Sequence, residues 1–82
     1  MPENHNEQKL REAFARGLNM PEAEVNEDLQ YASTPAWDSV AHMSLIASLD
    51  STFEIMMDTD DVIDMSSYGK ARQILSKYGI QF

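Results

Sequence analysis

The chain has 82 residues, no cysteine, three glycines, three prolines and a formal net charge of -8. That length allows one small domain over 1–82, with residues 1–5 expected to fray, and without cysteine its core must form by packing alone. No apolar run approaches the roughly 18 residues of a membrane span, and net acidity argues against nucleic acid, whose phosphates demand clustered Lys and Arg.

The polar start, Met1 to Arg11, has no apolar signal segment, so a soluble, cytoplasmic, monomeric domain is expected. Eleven of the fourteen acidic residues fall between Gly17 and Gly69, a stretch with no Lys or Arg. All six bases lie outside it. An acidic middle of this kind keeps a small protein soluble and speeds association with basic partners.

Leu10, Phe14, Gly17 and Leu18 share one helical face with Ala13 beside them, which predicts a first helix over about 7–18. Asn19, Met20 and Pro21 stop it. A long, mixed connection runs from there to Trp37, with Val25, Leu29 and Tyr31 as apolar anchors. Pro21 could open a short helical turn within it. Connections of this length in small domains are usually functional.

Asp38 and Ser39 are both good N-cap types, and the run from Val40 to Phe53 contains no Gly or Pro. At 100° per residue, His42, Leu45, Ile46, Leu49 and Phe53 form one stripe of this second helix. Val40, Met43 and Ala47 form a weaker apolar strip beside Ser39. Asp58-Thr59-Asp60-Asp61 reads as an acidic turn, and Val62 and Ile63 suggest a short third helix. The last helix opens at Ser66 or Ser67 and buries Tyr68, Ala71, Ile74 or Leu75, and Tyr78. Gly79 reads as its left-handed cap, and Ile80 and Phe82 can fold back onto the core. No segment alternates as a strand does, so the chain is all-α, with three principal helices and one short one.

Several residues invite a chemical reading. Ser39 stands beside the unpaired N–H groups of a helix start, where an attached phosphate would be stabilised. If Asp38 is the cap, the Ser39 hydroxyl is free to react. His42 lies one turn on, but no oxyanion device or nucleophile elbow accompanies it, and it reads as a half-buried imidazole bonded to a loop carbonyl. Trp37 reads as the anchor of the loop in the core. The internal methionines Met43, Met56, Met57 and Met65 fill gaps or line a cleft. Asp58-Thr59-Asp60 begins like a calcium loop, yet Ile63 replaces the required glycine and Gly69 the bidentate Glu, so no metal site is expected.

Trp37-Asp38-Ser39-Val40-Ala41-His42-Met43, followed by Leu45-Ile46 and Leu49-Asp50-Ser51-Thr52-Phe53-Glu54-Ile55, resembles the attachment region of acyl carrier proteins. That family places an Asp-Ser-Leu-type motif at the head of its second helix. The likeness runs on through Asp58 and Asp61-Val62 to Met65-Ser66-Ser67-Tyr68. It covers about 37–75 well, and the first helix and long loop in layout only.

The resemblance implies a four-helix bundle of acyl-carrier type, with a long loop between helices 1 and 2 and no catalytic apparatus of its own. A phosphopantetheinyl transferase would attach 4'-phosphopantetheine from coenzyme A to Ser39, with Asp38 helping to hold the Mg²⁺ used in that transfer. Acyl intermediates of fatty-acid, polyketide or related specialised biosynthesis would then ride as thioesters on the arm. Partner enzymes that load or transfer acyl groups would present basic docking patches to Val40, Ala47, Asp50, Asp58, Asp60, Asp61 and Asp64.

The sequence departs from the family at several points. Val40 stands where leucine is usual, Asp50 is the only acid between Ser39 and Phe53, and Ile63 replaces an acidic or polar residue. Thr34-Pro35-Ala36 replaces the glycine-rich approach of peptidyl carriers. The alternative reading is a carrier-like acidic interaction module that works without an arm.

Overall fold

The computed structural model describes residues 5–31 and 33–82. Four α-helices follow in order: α1 (His5–Leu18), α2 (Ser39–Phe53), α3 (Thr59–Asp64) and α4 (Tyr68–Lys77). A 3₁₀ turn, Glu22–Glu24, lies in the loop after α1, with Pro21 just ahead of it as the cap. Among the described residues there is no strand, only an isolated bridge between Gln30 and Ser67. The radius of gyration is 11.7 Å, about that of a compact chain this long. The expected fraying of residues 1–5 lies outside the described residues for 1–4, while His5 already begins α1.

The apolar stripes meet as their spacing requires. Leu10, Ala13, Phe14 and Leu18 of α1 pack with Leu45, Ile46 and Leu49 of α2 and with Tyr68, Ala71, Ile74 and Leu75 of α4. Both Ile74 and Leu75 are buried. The two helices approach closely at Gly17, where a Cβ would stand 2.6 Å from the Leu45 Cα. Beside it the Ser48 hydroxyl donates to the Ala13 carbonyl at 3.0 Å, a polar tie between α1 and α2.

The long loop is anchored by Val25, Leu29 and Trp37, all buried, whereas Tyr31, expected as an anchor, is 39% exposed. It is also sewn to the head of α4, because Tyr31 N–H donates to Ser66 O at 2.9 Å and Tyr68 N–H to Leu29 O at 3.0 Å. Trp37 lies fully buried with its ring edge-on to Phe14. Its role as the loop's core anchor is thereby met.

The helix ends follow local chemistry. Ser67, not Ser66, caps α4 by accepting the Lys70 amide at 3.0 Å. At the other end Gly79 has φ +89, its N–H reaches Ser76 O, and Ile80 N–H reaches Leu75 O. This is the Schellman arrangement, which returns Ile80 and Phe82 to the core. The acidic turn expected at 58–61 is instead the start of α3: Thr59, Asp60 and Asp61 are already helical, with Asp58 ahead of them. Carboxylates suit the positive end of a helix, which favours this early start.

Candidate functional site

Asp38 and Ser39 divide the work at the head of α2. Asp38 has extended backbone, and its Oδ1 accepts the Ala41 N–H at 2.8 Å. Ser39 is the first helical residue, exposed, and its hydroxyl has no partner among the described residues. The amides of Ser39 and Val40 belong to the first turn, where no intrahelical acceptor exists. A hydroxyl oxygen without a partner among the described residues therefore stands beside the N–H donors of the first turn, at the positive end of a helix of 15 residues.

Next to Ser39 opens a cleft of about 410 Å³ lined by Tyr31, Ser39, His42, Met43, Val62, Ile63, Met65 and Ser66. That volume lies within the range of small-molecule sites. Its walls come from the loop, α2, α3 and the link to α4, and most of the lining is apolar. Val40, Met43 and Ile63 are 81%, 60% and 76% exposed, so the apolar surface continues outward from Ser39. Of the internal methionines, Met43 and Met65 line the cleft, Met57 is buried elsewhere in the core, and Met56 is exposed.

His42 is held at both ring nitrogens. The Trp37 indole N–H donates to Nδ1 at 2.9 Å, and Nε2 lies 2.7 Å from the Val62 carbonyl. The carbonyl is thus one of α3, not of the loop as expected, and the loop is tied through Trp37 instead. An imidazole with both nitrogens committed has no lone pair to offer Ser39 as a base.

The Lys/Arg-free stretch is not uncompensated in space, because α4 folds its bases back onto it. Lys70 pairs with Asp64 at 3.4 Å, Arg72 with Glu27 at 3.1 Å, and Lys77 with Asp61. Asp61, expected on the docking surface, is only 7% exposed. Its carboxylate accepts from Lys77 and from the Tyr78 hydroxyl, and those bonds, Lys77 first, hold its carboxyl below the usual range.

Asp50 also turns to its own chain, accepting the Met57 N–H at 3.3 Å. Asp58 and Asp60 are exposed and form no ion pair among the described residues, and Val40 and Ala47 are exposed. The structure thus gathers Ser39, Val40 and the cleft, and divides the acids into free and paired groups. Tyr31, Ile63 and Ser66 as cleft walls were not legible in the sequence. Their placement depends on how the loop and α3 cross the head of α2.

Compared with known proteins, the chain matches no family model, no curated protein and no solved structure.

Proposed function

We propose that this chain is an acyl carrier domain, a four-helix bundle of acyl-carrier type that holds acyl groups as thioesters on a 4'-phosphopantetheine arm at Ser39. One observation supports this reading above others. Asp38 satisfies the helix cap and leaves the Ser39 hydroxyl exposed, with no partner among the described residues, at the mouth of an apolar cleft. A serine that merely capped its helix would have its oxygen on the Ala41 or His42 amide.

The residues present fit the group. In the attachment reaction the Ser39 oxygen attacks the β-phosphorus of coenzyme A. A phosphodiester forms, 3',5'-adenosine bisphosphate leaves, and the serine proton is lost to solvent or to the transferase. Asp38 has one carboxylate oxygen on Ala41, and its other would help hold Mg²⁺ in the complex with the transferase. When bound, the arm supplies the thiol that this cysteine-free chain lacks, and its tether raises the local concentration of cargo at a partner's active site. The cleft gives an apolar acyl group a place out of water, worth roughly 0.8 kcal/mol per buried methylene. Exposed Val40, Met43 and Ile63, with Asp58 and Asp60 nearby in sequence, suit enzymes whose docking patches combine apolar and basic groups.

The second reading, an acidic module without an arm, draws on Asp58 and Asp60. It is weakened by the pairing of Asp61 and Asp64 with α4. The two part company in cells that depend on the protein: Ser39→Ala abolishes activity under the carrier reading. Under the other, Ser39→Ala is silent and charge reversal at Asp58 and Asp60 is damaging.

A further inference from the structure

His42 is placed to do more than fill space. An indole can only donate, so the 2.9 Å bond from Trp37 makes Nδ1 the acceptor and puts the neutral ring's proton on Nε2, which donates to Val62 O at 2.7 Å. One ring therefore links the end of the long loop to the middle of α3. It lies nearly parallel to the Trp37 ring, 19° apart, and meets Tyr31 edge-on at 5.5 Å.

α3 depends on such ties. It has six residues, far too few for a helix to persist alone. Asp60, Ile63 and Asp64 face outward, Val62 is half-buried, and Asp58 makes no side-chain cap bond. Its remaining polar ties run to α4, from Asp61 to Lys77 and Tyr78 and from Asp64 to Lys70. A segment held by a few polar bonds rather than a broad apolar face lies at the low-stability end of a structure.

We infer that His42 couples α3 to the Trp37 loop, so that the two loosen and close together over the cleft beside Ser39. If Val62 O withdraws, Nε2–H is left unpaired in a half-buried place. If the ring turns to reach water, the buried indole loses its acceptor. Neither bond breaks without straining the other. Val62 and Ile63 form one wall of the cleft and Tyr31 another, so coupled opening widens it from both sides. The coupling follows from the geometry alone; its use, admitting the apolar end of an acyl group, rests on the carrier reading.

Residue-resolved hydrogen exchange on the whole, unmodified chain tests it, with no arm or transferase involved. The probes are the Trp37 Nε1–H and the Val62 and Met65 amides, which bond to Asp58 O and Asp61 O. In the wild type these should share protection within about twofold and exchange faster than the Leu45 and Leu49 amides. Tyr78→Phe removes ties of α3 that touch neither His42 nor Trp37. It should speed exchange at α3 and at the indole alike, by about tenfold. In the His42→Leu background the same change should speed α3 alone. Loosening of α3 by Tyr78→Phe with the indole unmoved would overturn the coupling. If a variant fails to fold, the wild type still decides: a gap of more than about tenfold between indole and α3 protection overturns it.

Discussion

The carboxylate of Asp38 accepts the amide of Ala41 at 2.8 Å, and that bond leaves the neighbouring Ser39 hydroxyl without a structural duty. Two adjacent residues of similar capping strength thus take different roles. Asp38→Ala should lower the unfolding free energy by about 1 kcal/mol in urea titration. Asp38→Asn keeps a capping oxygen and should stay within a few tenths of a kcal/mol of wild type; on the carrier reading it should slow arm attachment, because the charge proposed to hold Mg²⁺ is gone. Equal loss of stability in both variants would show that the cap is misassigned.

Gly17 sets the distance between α1 and α2. Helix propensity alone would make Gly17→Ala stabilising by about 1 kcal/mol. A Cβ placed 2.6 Å from backbone at Leu45 cannot be relieved by a side-chain rotation. Overpacking costs of about 1–3 kcal/mol or more should win, so the urea midpoint should fall. A rise would mean that the helices separate more easily than their packing indicates.

Glu54 ends α2 with φ 56 and ψ 48, a left-handed conformation that costs an ordinary residue about 1–2 kcal/mol. Glu54→Gly removes that strain but frees the unfolded chain. A net gain of about 0.5–1 kcal/mol is expected in thermal or urea unfolding.

The acid limb of stability should report Asp61. Its carboxyl is held below the usual 3.8 by the Lys77 and Tyr78 bonds. The unfolded state therefore takes up its proton first as pH falls. The contribution is fully present above about pH 4, and is lost as pH drops from there through the lowered value. Asp61→Asn should flatten the melting temperature against pH between about 4 and 2 relative to wild type. An identical acid limb in both proteins would mean that the Lys77 pair dissolves in solution.

What the sequence made legible was whatever depends on spacing within one segment. The stripes of α1, α2 and α4 and the Gly79 cap follow from periodicity and local backbone chemistry, and Trp37 is an apolar ring at the end of a loop that needs an anchor. What depends on how segments cross was not legible. Lys70 and Lys77 reach Asp64 and Asp61 only because α4 packs back along α3, which turns an apparently bare acidic stretch into one partly neutralised. The partner of His42 is hidden for the same reason: Val62 lies 20 residues away and meets the ring only across the head of α2. The start of α3 looks like a turn in the sequence because aspartates are poor mid-helix residues, although they are favoured in a first turn.

The central claim is that Ser39 carries a phosphopantetheine arm. The most direct measurement is the intact mass of the unmodified protein before and after incubation with coenzyme A, Mg²⁺ and a broad-specificity phosphopantetheinyl transferase, with Ser39→Ala in parallel. The wild type should gain one phosphopantetheine and the variant none. No gain in a folded wild type, or an equal gain in Ser39→Ala, would contradict it.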